Sequence, residues 1–108
     1  APELQVAGVR LDPAAHRVLY HDQPVELSAR EFAVLHALML NAGKVLSRGQ
    51  LEEQLYAWGE EVESNAVEVH IHHLRRKLFP ALVETIRGVG YLIPSDKGSY
   101  EKLLSGHP

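Results

Sequence analysis

The sequence predicts a single α+β domain with a four-stranded antiparallel sheet at its N-terminus, then three helices, then a C-terminal β-hairpin. Three observations predict it. Short apolar runs alternate with polar residues over the first 27 positions. Apolar residues then recur at helical spacing between positions 28 and 78, and two short apolar runs flank a glycine-bearing turn beyond position 82.

The sheet is read from Leu4–Val6, Val9-Arg10-Leu11, Arg17-Val18-Leu19-Tyr20 and Val25-Glu26-Leu27, with turn signals at Asp12-Pro13 and His21-Asp22. The pairs Val9/Leu11, Val18/Tyr20 and Val25/Leu27 give one packed face and one wet face. Ser28-Ala29-Arg30-Glu31 is a capping box, in which the serine oxygen takes an orphan helix amide and the glutamate reaches back to the cap. Behind it Phe32, Leu35, Leu38 and Met39 form a helical stripe, ended by Asn41-Ala42-Gly43. After a short extended link at Val45-Leu46, Ser47 caps a second helix with Leu51 and Leu55 inward, running to about Tyr56. Residues 57–63 read as an acidic loop. Ser64 or Asn65 caps a third helix that runs to about Leu78, with Pro80 just beyond. The hairpin is read from Val83-Glu84-Thr85-Ile86, the turn Arg87-Gly88-Val89-Gly90, and Tyr91-Leu92-Ile93. The domain is expected over residues 1–94, with 95–108 as a tail.

At 108 residues and 45% hydrophobic, the chain has room for one core and needs no covalent staple. With no cysteine, disulfides, thiolate chemistry and cysteine-based metal sites are excluded, which fits a cytoplasmic setting. The longest apolar stretch, residues 32–40, is interrupted by His36 and too short to span a bilayer. Ala1-Pro2-Glu3 lacks a basic n-region followed by an apolar h-region, so no signal peptide is expected. The net charge of −3 argues against a polyanion-binding surface only on average. From residue 65 to 92 the cations Arg75, Arg76, Lys77 and Arg87 face only Glu68 and Glu84, while Glu52, Glu53, Glu60, Glu61 and Glu63 collect upstream. Local field, rather than total charge, attracts a polyanion.

At about 100° per residue, Val67, Ile71, Leu74 and Leu78 fall in one stripe of the third helix and must face the core. Asn65, Val69, His72, His73 and Arg76 lie opposite. Arginine pairs with guanine, asparagine with adenine, and an aliphatic group with the thymine methyl, so this outward face suits base edges in a DNA groove. On the flanks, His70, Arg75 and Lys77 are expected at phosphates. Any exposed helix is polar on its outside, but an exposed valine and the shortage of glutamate favour a partner. At the hairpin, Thr85, Arg87 and Gly88 place a side chain and bare backbone where a phosphate or minor groove could be met.

These segments resemble the C-terminal effector domain of OmpR/PhoB-family response regulators, closest to the QseB/PmrA-like branch. The matching stretches are residues 27–32, 45–51, 67–78 and 85–91, in family order, and the resemblance covers residues 4–93. His72-His73 departs from the double arginine of many members, and imidazole cannot form arginine's bidentate fork. The resemblance implies a winged helix-turn-helix, with the third helix as recognition helix and residues 85–91 as the wing. It also implies Arg48 and Gln50 near the DNA backbone, where helix N-terminal amides favour phosphate. By the same resemblance, the loop with Trp58, Glu60 and Glu61 meets RNA polymerase in activators, although Trp58 could equally cap the core. Family members also carry an N-terminal receiver domain, absent from these residues, that answers a sensor kinase and pairs two effector domains on repeated half-sites of double-stranded DNA.

Two other classes compete. A metal site is prompted by His70, His72 and His73, but on a helix only His70 and His73 are neighbours. Two ligands without a cysteine or a His-Glu-x-x-His pattern are too few, so no metal or cofactor is expected. A winged helix used only for protein contacts is the second alternative. Hydrolase chemistry lacks a serine elbow, a phosphate loop and an acid–base dyad, so no enzyme is expected.

Overall fold

The computed structural model describes residues 3–56 and 66–95. Four strands, β1 (Leu4–Val6), β2 (Val9–Asp12), β3 (Arg17–Tyr20) and β4 (Gln23–Pro24), form an antiparallel meander in chain order. Helices α1 (Ala29–Leu40), α2 (Arg48–Tyr56) and α3 (Ala66–Lys77) follow, then a single 3-10 turn at Pro80–Leu82. The chain closes with the hairpin β5 (Glu84–Ile86) and β6 (Gly90–Leu92). This is the α+β winged-helix arrangement that the sequence predicts.

The β2–β3 register pairs Val9 with Tyr20 and Leu11 with Val18, so one face of the meander delivers Val9, Leu11 and Val18 to the core. The expected fourth strand at 25–27 is displaced. Ladder pairing occurs two residues earlier, at Gln23–Pro24, which proline tolerates because this is an edge. Val25 adds one more bond to Val18, at 3.0 Å. The chain then leaves the sheet to form the helix cap at Ser28, and Val25 and Leu27 pack half-buried against the core.

The Ser28 capping box forms in full: Glu31 N–H donates to Ser28 Oγ at 3.1 Å, and Ser28 N–H donates to Glu31 Oε1 at 3.0 Å. A second box, not anticipated, opens α2, where Gln50 N–H donates to Ser47 Oγ at 3.1 Å and Ser47 N–H to Gln50 Oε1 at 2.8 Å. Each box satisfies two backbone donors that a helix start would leave orphaned. Phe32, Leu35, Leu38 and Met39 of α1, Leu51 and Leu55 of α2, and Val67, Ile71 and Leu74 of α3 meet in one core closed by Leu78, Leu82, Val83 and Ile93.

The hairpin is fastened to the body by the link before α2. Leu46 and Tyr91 exchange backbone hydrogen bonds of 2.8 and 2.9 Å, and Gly43 N–H donates to the Ile93 carbonyl at 2.8 Å. Gly88 and Gly90, read together as turn glycines, do different work. Gly88 sits at the tip with φ +73° and open space around it. A Cβ on Gly90 would instead overlap the Leu46 carbonyl oxygen, so the close approach of wing and link requires a residue without one.

Candidate nucleic-acid interface

The buried stripe Val67, Ile71 and Leu74 fixes the roll of α3, and therefore which side chains it turns outward. Val69, His72 and Arg76 are exposed on one face, with Val69 at 39%. Arg76 and, at the tip of the wing, Arg87 make no hydrogen bond or ion pair with any described residue.

Five of the other expected contacts, Arg48, Gln50, His73, Arg75 and Lys77, are bonded within the protein itself. Glu31, only 4% exposed, lies under the end of α3. Lys77 Nζ donates to its Oε1 at 2.7 Å, and His73 Nδ1 lies 2.9 Å from its Oε2. Burial would raise the Glu31 pKa, but Lys77, the Ser28 amide and His73 together outweigh it and hold the carboxyl below its ordinary value. His73 and Lys77, expected at bases and phosphate, therefore tie α3 to α1.

Arg75 is also engaged. Its Nε and Nη2 donate to the Val83 carbonyl at 3.1 and 2.7 Å, and Nη2 donates to Thr85 Oγ1 at 2.9 Å. The guanidinium thus braces α3 against the base of the β5–β6 hairpin and takes up the Thr85 hydroxyl. Arg48 Nη2 lies 3.1 and 3.2 Å from the two carboxylate oxygens of Glu68, which joins α2 to α3. Arg48 and residues of the wing line one open groove. The Gln50 side chain caps its own helix, as described above. Both ring nitrogens of His70 are out of contact with solvent, so His70 offers nothing to a phosphate. Asn65, Trp58, Glu60 and Glu61 lie outside the described residues, as does the tail from residue 96.

Sequence reasoning missed Glu31 as the hub because it assigned that carboxylate wholly to the capping box. The available signal was His73 and Lys77, four residues apart on one helical face, but locating their acid required the packing of α1 on α3.

The family described as "Transcriptional regulatory protein, C terminal" matches residues 22–93. The chain belongs to that family. It is 58% identical over 90 residues to the response regulator protein PmrA of Pseudomonas aeruginosa, an alignment covering 83% of this chain and 41% of that protein. It is 50% identical over 91 residues to the transcriptional regulatory protein QseB of Escherichia coli, covering 84% and 42%. The chain thus spans about two-fifths of the length of these curated relatives. Among solved structures, the DNA-binding domain of CpxR from E. coli superposes with a TM-score of 0.75 at 33% identity, covering 88% of this chain and 98% of that one. The Klebsiella pneumoniae RstA DNA-binding domain, solved in complex with the RstA box, gives 0.76 at 27% identity, covering 87% and 98%. The winged helix-turn-helix is therefore of the OmpR/PhoB type, and the family is one of transcriptional regulators. Among the described residues no helix is long and apolar enough to cross a membrane.

Proposed function

We propose that this chain binds double-stranded DNA sequence-specifically as the output domain of a two-component response regulator. In this reading α3 lies in the major groove, with Val69, His72 and Arg76 at base edges. Arg87 and Gly88 of the wing reach the adjacent minor groove or its phosphates, and Arg48, on the same open groove, exchanges its exposed Glu68 partner for a backbone phosphate. The observation that carries this is a sorting of cations. Arg75 and Lys77 are bonded inward, whereas Arg76 and Arg87 are left open on the two elements that would meet a duplex. The exposed Val69 on the same helix as Arg76 suits a thymine methyl.

The parent protein would then be a non-catalytic cytoplasmic regulator, carrying a receiver domain that answers a sensor kinase and pairs two output domains on repeated half-sites. The loop with Trp58, Glu60 and Glu61 would face RNA polymerase. Selection from random duplexes followed by footprinting tests the reading. A preferred sequence is expected, with affinity falling steeply as salt rises because phosphate contacts release counterions. Absence of salt-dependent binding to any duplex would leave a protein-contact module instead.

A further inference from the structure

His70 is the outlier of the recognition helix. Both of its ring nitrogens are buried, and neither has a hydrogen-bond partner. A neutral imidazole carries one N–H donor and one acceptor lone pair, so a ring with both nitrogens shielded and no protein partner leaves two strong polar groups unsatisfied. No other side-chain nitrogen or oxygen among the described residues is stranded in this way. A core histidine kept for packing would not need both nitrogens so placed.

The surroundings supply a reason. Glu31, His70 and His73 each offer a ligand atom, and these atoms all lie within 4.8 Å of one another. His70 and His73 stand one turn apart on α3, with ring centroids separated by 6.5 Å. The carboxylate comes from the first turn of α1, where the Ser28 amide and Lys77 fix one oxygen and leave Oε2 facing His73. Sequence reading counted only two ligands here because the third is 39 positions upstream of His70 and reaches it only through helix packing.

We propose that Glu31, His70 and His73 form a binding site for a borderline divalent transition-metal ion of the Zn²⁺ class, pinning the recognition helix to α1. Two imidazoles and one carboxylate are the donors such an ion takes, with a fourth position left to water. Ligands on one ion at about 2.1 Å stand about 3.4 Å apart in a tetrahedral arrangement, so the three side chains need close by only about an ångström. Lys77 on Oε1 becomes the outer partner that orients the carboxylate.

The test uses the tag-free 108-residue chain, stripped with chelator and titrated without DNA. Co²⁺ is expected to bind in a saturable 1:1 complex with a visible ligand-field band that Zn²⁺ displaces, and Zn²⁺ is expected to raise the melting temperature by several degrees. His70→Leu keeps the volume and removes the nitrogens. It should melt no lower than wild type without metal and lose at least roughly tenfold in Zn²⁺ affinity, whereas His36→Ala should bind as wild type does. In the unmodified chain, ¹⁵N shifts of the imidazoles should move on zinc addition at His70 and His73, a readout independent of any variant's folding. Absence of saturable binding up to about 100 μM free Zn²⁺, or undiminished binding in His70→Leu, overturns the site. Because no DNA is present, these outcomes are separate from those that test duplex binding.

Discussion

Gly88 and Gly90 lie two residues apart in the wing, and alanine at each should fail for a different reason. At Gly90 the new methyl would overlap the Leu46 carbonyl oxygen and stand 2.8 Å from the Leu46 carbonyl carbon and 2.9 Å from Ser47 Cα. All three are backbone atoms, so no side chain can swing aside. The strand must retreat by about an ångström to restore ordinary contact. That carries the Leu46–Tyr91 pair of hydrogen bonds, now 2.8 and 2.9 Å, past the ~3.2 Å at which such bonds are usually made. Two backbone bonds contribute about 1–3 kcal/mol together. Partial uncovering of the core beneath β6 takes the total to about 2–4 kcal/mol, a fall in melting temperature of roughly 10 °C or more for a domain of this size. At Gly88 a methyl meets nothing, and the penalty is only the left-handed backbone at φ +73°, about 1–2 kcal/mol. Amide hydrogen exchange separates the two. Gly90→Ala should strip protection from the Leu46 and Tyr91 amides, and Gly88→Ala should leave both protected. DNA affinity should fall in Gly90→Ala as Arg87 moves with the wing. Leu46 and Tyr91 amides as protected in Gly90→Ala as in wild type would refute the close approach and the reasoning built on it.

Arg76→Ala should cost about 1–3 kcal/mol of discrimination between the selected duplex and a single-base variant if it reads a guanine; equal loss on every duplex would reassign it to phosphate. Arg87→Ala should weaken binding and flatten its salt dependence without altering the melt, and unchanged affinity would remove the wing from the interface. Glu31→Gln keeps an oxygen for the Ser28 amide but removes the charge on which Lys77 and His73 rest. The folded carboxyl ionises below its ordinary value of 4.5, so its stabilisation is complete above that value and is lost as pH falls through the lower folded one. Melting of wild type and Glu31→Gln should therefore differ most near pH 7 and converge as pH falls through the folded carboxyl's lowered value, and a difference constant with pH would show that the charge contributes nothing.

The elements legible in the sequence were those with local causes. The capping box at Ser28 and the stripes of α1 and α3 need only neighbouring residues to be recognised, and they stand where periodicity puts them. The fourth strand failed at its boundary because Val25 and Leu27 are apolar for a different reason: they pack on the core after the chain has left the sheet. In the candidate site, the helical wheel put Val67, Ile71 and Leu74 inward and Val69, His72 and Arg76 outward, as observed, but it set His70 at phosphates, whereas both of its ring nitrogens are shielded from solvent. It could not tell which outward cations are already engaged, since a wheel has no information about what stands opposite. Glu31, Val83 and Thr85, which engage Lys77, His73 and Arg75, come from other elements and were invisible to it.

Under the proposed function, that engagement would make the remaining surface specific. A recognition helix free to roll or slide would present Arg76 over a range of positions, and each side chain or element immobilised on binding costs free energy that a preset geometry does not. Here α3 is fixed at its C-terminal end from two sides. Lys77 and His73 hold it to the carboxylate of α1, and Arg75 holds it to the carbonyl and hydroxyl at the base of the wing. Arg76 is adjacent in sequence to both Arg75 and Lys77, and Arg87 lies two residues beyond Thr85. The distance between the two open guanidiniums is therefore set by bonds that the protein makes before any duplex arrives. In the proposed complex, the cations that bond within the domain would set the spacing at which Arg76 and Arg87 meet a duplex.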